Sequence, residues 1–141
     1  MMIATVFDYL ATDYPRRSEY TRSELKNRLG AELKALGQGG FSLQFEQEIL
    51  SLTNVERRLL MLTKSVLTDP PLLCVDEPTM GFEESEARQI LDFLSTQRRQ
   101  RAILMVTHNQ RHGREISDHT ALLAGGTIHE YLPTEEFYFN P

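Results

Sequence analysis

The stretch LLCVDEPTMGF at residues 72–82 constrains this chain more than any other. Its apolar start reads as a strand, and the Asp69-Pro70-Pro71 triplet before it ends a helix, because proline blocks helix continuation and biases its predecessor toward extended geometry. The strand finishes on two adjacent carboxylates and a proline, Asp76, Glu77 and Pro78. Downstream the pattern predicts a helix over about 84–98, a strand at 102–107, a short helix over about 110–117 and a strand at 120–124. Gly125-Gly126 then reads as a hairpin turn into a last strand at 127–131. Ala87, Ile90, Leu91 and Leu94 give the first of these helices a buried stripe, and Glu83, Glu84 and Glu86 suit its N-terminus. Strand, helix and strand with short links predict parallel pairing through a right-handed crossover.

Residues 1–70 read mainly as helix and residues 71–141 as alternating strand and helix, which sets two domains with a boundary at 70/71. Thr21 and Glu24 have capping-box spacing, Leu25, Leu29, Leu33 and Leu36 form one stripe, and Gly37 offers a stop. Gln38-Gly39-Gly40 marks a turn, and FSLQFEQEIL after it alternates briefly, with Phe41, Leu43 and Phe45 on one side, as strand or as helix. A second capping box at Thr53 and Glu56 opens a helix to about Thr68 whose Val55, Leu59, Leu60, Leu62, Val66 and Leu67 cover much of its surface, so it is expected to pack on several sides.

A chain of 141 residues that is 40% hydrophobic and carries a net charge of −5 has material for a soluble core and offers no electrostatic case for nucleic acid as its main ligand. The Arg98-Arg99-Gln-Arg101 cluster reads as a solvated helix end. The single cysteine, Cys74, excludes an intrachain disulfide and reads as a buried small hydrophobe in a reducing compartment. MMIATVFDYLATDYPRR has neither a basic start nor a long apolar run, so the expectation is a cytoplasmic protein, peripheral to the inner membrane face only through a partner.

Ligands of open parallel sheets sit beyond the carboxyl ends of the strands. Two strands here end in capable residues, the first in Asp76-Glu77 and the second in Thr107-His108-Asn109. An aspartate there can hold hydrated Mg²⁺, while its neighbour points elsewhere and can orient or deprotonate water. Taken alone, the acidic pair reads equally as a turn after a strand or as a functional pair, and His108 equally as a satisfied polar residue or a functional one; the combination with Pro78 and the strand spacing favours chemistry. His108 and His112 lie four apart, the spacing of a metal pair, but no carboxylate or cysteine pattern completes such a site.

LLCVDEPTMGFEESEARQILDFL resembles the Walker B and D-loop region of ATP-binding cassette (ABC) ATPases, and AILMVTHNQRHGREISDHTALLAGGTIHEYLPTEEFYFNP resembles their switch-histidine segment. The likeness runs over about residues 50–141 and is greatest to the ATPase subunits of phosphate importers, through VTHN, SDHTAL and the final PTEEFYFNP. It implies a partial P-loop NTPase fold of the α/β class, with parallel strands, a C-terminal β-hairpin and an N-terminal helical subdomain. It also implies that Asp76 is the magnesium-associated aspartate, Glu77 the catalytic glutamate, His108 the switch histidine and Met80 to Glu83, with Gly81, the D-loop. TVFDYLA is similar to the segment after the Q-loop, which makes the chain begin partway through a cassette. At the signature motif, where the family has L-S-G-G-Q against a partner's ATP, stand Leu52, Thr53, Asn54, Val55 and Glu56. Thr53 and Asn54 are thereby nucleotide-side candidates, with side chains where two glycines are usual.

A phosphate loop needs G-x-x-x-x-G-K-[ST], whose glycines let backbone N–H groups approach phosphate and whose lysine neutralises it. None of the eight glycines here is followed by lysine. The expectation is therefore a truncated or split ABC-type ATPase, inactive in isolation, that hydrolyses MgATP only with a second polypeptide supplying the loop. A homodimer covering the exposed sheet edge and a membrane permease are further expected partners. The competing reading is a catalytically inactive ABC-like interaction or regulatory module.

Overall fold

A computed structural model describes residues 4–139, without the side chain of Ser42. The last two residues of the final quoted run lie outside that range. The chain divides into two units, with the boundary between Leu73 and Cys74.

The first unit is helical because its apolar residues recur at helical spacing and its helices start on well-made caps. Its helices are α1 (Val6–Ala11), α2 (Arg22–Ala35), α3 (Gly40–Leu43) and α4 (Asn54–Val66), with 3-10 turns at Arg17–Glu19 and Ile49–Ser51. Thr5, Thr21 and Thr53 each accept the backbone N–H three residues on, and Asp8, Glu24 and Glu56 reach back to the cap N–H. Such a box satisfies two helix-end donors and contributes about 1 kcal/mol. The core gathers Phe7 and Leu10 of α1, Leu25, Leu29 and Leu33 of α2, Phe41, Phe45, Leu52 and Leu60. Phe7 meets Phe45 edge-to-face at 5.6 Å, and the Arg22 guanidinium lies 4.3 Å over the Phe7 ring. Backbone bonds from Val6 N–H to Gln47 and from Phe7 N–H to Phe45 hold the 45–48 segment along α1 in an irregular conformation.

FSLQFEQEIL is thus a short helix followed by irregular backbone. Phe41 and Phe45 are buried, but Leu43 is 90% exposed, against the expectation that all three share a side. The period-two pattern fails because α3 turns the chain through a helical step at Gly40–Leu43.

The second unit follows the expected strand and helix order. It contains β1 (Leu72–Asp76), which straddles the boundary, α5 (Glu84–Gln97), β2 (Ala102–Val106), α6 (Gln110–Ile116), β3 (His119–Ala124), β4 (Thr127–Pro133) and α7 (Thr134–Phe139). β1 and β2 pair in parallel, and the ladder continues past β1 as Glu77 N–H donates to Val106 at 2.8 Å. β3 and β4 form an antiparallel hairpin with a register shift at Leu122/Leu123. Gly125 and Gly126 both take positive φ, 56° and 77°, which the two-residue turn requires and which glycine adopts without Cβ strain. Ile90, Leu91, Phe93 and Leu94 bury the inner face of α5.

Burial alternates along β1, with Leu73 and Val75 covered and Leu72, Cys74 and Asp76 exposed. Cys74 is therefore not the buried hydrophobe expected, because only one face of β1 is covered. Leu104 and Val106 of β2 are likewise 57% and 51% exposed. The arginine cluster is also not uniformly solvated. Arg101 is buried, and Arg98 donates to the Ile116 carbonyl at 2.8 Å and pairs with Asp118 at 3.2 Å, fastening the end of α5 to the segment after α6. No described helix is long and apolar enough to cross a membrane.

Candidate functional site

At the end of β1 the chain reverses through a tight turn whose first residue is Glu77. Its φ of 43° lies in the left-handed region, which a residue with a Cβ enters at a cost of about 1–2 kcal/mol. Backbone bonds Met80 N–H to Glu77 and Phe82 N–H to Thr79, at 3.2 and 3.3 Å, continue the turn, and Gly81 takes φ 81° within it. Pro78 and Thr79 are buried. The turn delivers Asp76 and Glu77 to different places. Asp76 is exposed at the strand end, whereas Glu77, with its side chain 18% exposed, turns toward the end of β2.

There the two carboxylate oxygens of Glu77 have different partners. Oε1 accepts the backbone N–H of His108 at 2.7 Å, and Oε2 accepts the Thr107 hydroxyl at 3.3 Å. The His108 ring is 99% exposed, and its Nε2 stands 3.8 Å from Glu77 Oε1. Glu77, Met80, Gly81, His108 and Asn109 line an open groove of about 680 Å³, a volume adequate for a small charged ligand. Asp76 is not among its lining residues.

The same groove has a buried polar wall. Thr79, 6% exposed, meets His112, 4% exposed, at 2.9 Å between the hydroxyl and ring Nδ1. Asn109 caps α6 by accepting the His112 N–H at 3.1 Å, and its Nδ2 stands 3.4 Å from His112 Nε2. Glu84, at the start of α5, lies 3.8 Å from that Nε2 and pairs with Arg111 at 3.3 Å. Arg88 holds the Glu115 carboxyl below the usual carboxylate range, chiefly through its side-chain hydrogen bond.

Thr53 and Asn54 lie in the first unit, where both are engaged at the start of α4. The Thr53 hydroxyl accepts from Glu56 N–H at 3.3 Å and donates to the Glu56 carboxylate at 2.9 Å. Asn54 Oδ1 accepts from the Arg57 guanidinium. Hydrogen bonds from the Thr53 backbone and hydroxyl keep the Glu56 carboxyl below its ordinary value.

No model of a known protein family matches the chain. It is 31% identical to the glutathione/L-cysteine transport system ATP-binding/permease protein CydC of Escherichia coli (strain K12), over 96% of this chain and 24% of that protein. It is 32% identical to the phosphate import ATP-binding protein PstB of Borreliella afzelii (strain PKo), over 65% of this chain and 35% of that one. The fold matches cbiO1 of Clostridium perfringens, part of the ABC transporter complex cbiONQ, with a TM-score of 0.79 at 16% identity over 98% of this chain and 54% of that chain. A putative metal-chelate type ABC transporter in an inward-facing conformation matches with a TM-score of 0.76 at 18% identity, over 96% of this chain and 54% of that one.

The relatives this chain resembles are ABC ATPase proteins, and its fold is theirs. It corresponds to the C-terminal half of the cassette and has the P-loop NTPase type of fold expected from the sequence. It spans about a quarter to a third of the length of the two relatives and about half of the structural neighbours.

Of the residues that ABC resemblance singles out, Glu77, Met80, Gly81 and His108 share one groove, Asp76 stands at the strand end beside it, and Thr53 and Asn54 belong to the other unit. Sequence reading missed Thr79, named Thr107 only as part of the capable end of the second strand, and gave His112 only as half of a metal pair. Among the described residues no group of three His, Cys, Asp or Glu is disposed to hold a metal ion. The available signal was Asn109, an N-cap residue type three positions before His112, which announces a helix start and separates the two histidines into different backbone states.

Proposed function

We propose that this chain supplies the metal-side, water-orienting and switch groups for MgATP hydrolysis at a site whose phosphate loop lies outside its 141 residues. The observation that carries the reading is the Glu77 carboxylate, fixed at the end of β1 by the backbone of His108 and facing an open groove beside an exposed imidazole. Asp76 fits a magnesium ion, because Mg²⁺ is typically bound by one or two carboxylates together with phosphate oxygens and water rather than by an all-protein cage. When bound, the ion neutralises charge on the phosphates and polarises them toward attack.

The groups of the chain have separable tasks. Glu77 Oε1 is committed to the His108 N–H, which leaves the weakly held Oε2 to accept a proton from the attacking water. As the water oxygen bonds to the terminal phosphorus, the bond to the bridging oxygen breaks and ADP leaves with the electron pair. His108 Nε2 is free to donate toward the terminal phosphate from its exposed position. Met80 and Gly81 line the groove at the tip of the turn, where the ABC likeness would set a neighbouring subunit. The names of the relatives attach them to transport, and by that analogy the hydrolysis drives a membrane permease.

A second reading, a non-hydrolysing module of the same fold, draws on the Thr53 hydroxyl and Asn54 Oδ1, both already engaged at the start of α4. MgATP titration of the full chain, alone and mixed with a phosphate-loop-bearing ABC segment, separates the two. Binding only in the mixture, with turnover abolished by Glu77→Gln while binding persists, supports the enzyme. Tight MgATP capture by the isolated monomer, or turnover indifferent to Glu77→Gln, refutes it.

A further inference from the structure

The pairing of His112 with Thr79 assigns a role that the motifs do not. Asn109 Oδ1 already accepts the His112 N–H, so the group it turns toward ring Nε2 at 3.4 Å is its amide NH₂. Nε2 thus faces that amide and, at 3.8 Å, the Glu84 carboxylate. On the other side of the ring Nδ1 pairs with the Thr79 hydroxyl at 2.9 Å, and each of these buried polar groups satisfies the other.

We propose that His112 is a positioning residue that clamps the Glu77–Phe82 turn to α6, the helix that follows His108. The role rests on the proposed hydrolysis for its catalytic meaning but not for its geometry. Three observations join here. Within the turn the backbone bonds run at 3.2 and 3.3 Å, and the Thr79 side chain adds a 2.9 Å tether from it to α6. Thr79 follows Glu77 by two residues and precedes Met80 and Gly81, so holding its hydroxyl fixes both the carboxylate and the exposed tip of the turn. Finally, α6 lies against the end of β2: a Cβ at Gly113 would stand in ordinary contact with Thr107 Cγ2 at 3.6 Å, and Thr107 is the second donor to Glu77. A space-filling histidine would need no bond to Thr79.

The test uses the full chain, without nucleotide, by ¹⁵N-imidazole NMR and amide hydrogen exchange. Wild type should show a His112 Nδ1 signal displaced by its hydrogen bond. Thr79→Val, which keeps the shape and removes the hydroxyl, should shift that Nδ1 signal and speed exchange at Met80 and Phe82 about fivefold to tenfold. Thr79→Ser should restore both. His112→Ala should speed the same amides, and His112→Asn, whose amide reaches the Nδ1 position, should restore most of their protection. An unchanged Nδ1 signal and unchanged exchange in Thr79→Val overturn the clamp, and that variant decides the matter if His112→Ala fails to fold. So does His112→Asn behaving like His112→Ala. Because these readouts need no ATP, their failure removes the clamp and leaves the hydrolysis to the Glu77→Gln test.

Discussion

Replacing Glu77 by alanine and by glycine isolates the strain at the proposed catalytic carboxylate. Both variants lose the charge-assisted bond from His108 N–H at 2.7 Å, about 1.5–3 kcal/mol, and the weaker one from Thr107 at 3.3 Å. They differ in the backbone. At φ 43° alanine keeps a left-handed cost of about 1–2 kcal/mol, which glycine does not have. Glycine loses about 0.5–1 kcal/mol more than alanine through the entropy of its unfolded chain. The balance leaves Glu77→Gly more stable than Glu77→Ala by about 0.5–1 kcal/mol, the reverse of the order at ordinary positions. Urea unfolding with unchanged m-values measures the difference as a shift in midpoint. Equal stabilities, or alanine above glycine, would refute the claim that this turn stores backbone strain at the carboxylate.

Gln97 is fully buried, and among the described residues neither its Nε2 nor its Oε1 has a hydrogen-bond partner, so Gln97→Met should stabilise the chain by about 1–2 kcal/mol in thermal or urea unfolding. Thr53→Ala removes the α4 cap and should cost about 1 kcal/mol at neutral pH. Because the folded-state pKa of Glu56 is depressed, the contribution of this box is present above its ordinary value of 4.5 and is lost as pH falls through the lower folded value; the Thr53→Ala penalty, followed by urea midpoints against pH, should shrink in acid. Burial first, and the bond to the Glu32 carboxylate second, push the Tyr14 phenol up to about 12, so it should ionise late in an ultraviolet titration and move back toward 10.0 in Glu32→Gln. Stability from this raised value is complete below 10.0 and is lost as pH rises through about 12.

What was legible in the sequence was mainly what local chemistry decides. The Thr-x-x-Glu boxes at Thr21 and Thr53, the Gly125-Gly126 turn and the order of strands and helices after Pro71 all depend on near neighbours, and the structure has them. What the sequence did not reveal depends on which faces are covered. An apolar run such as Leu72-Leu73-Cys74-Val75 is the same string whether one or both faces of its strand are packed, so the exposure of Cys74 had no sequence signal. Arg101 is buried although the cluster around it is rich in cations, because burial follows what packs on the helix end rather than its composition.

The two histidines show why the site was only partly readable. A separation of four places two side chains on one helical face only if both are in the helix. α6 begins at Gln110, and Asn109, with ψ 94°, is its extended N-cap, so His108 stands before the helix and His112 within its first turn. His108 is consequently directed to solvent beside Glu77, while His112 turns inward to Thr79. One cap residue thus divides a pair that spacing alone joins, giving the groove an exposed imidazole at its mouth and a buried one in its wall. Substituting Asn109 by alanine should therefore disturb His112 and the Thr79 turn before it disturbs the bond from His108 N–H to Glu77, which depends on the end of β2 and not on the helix.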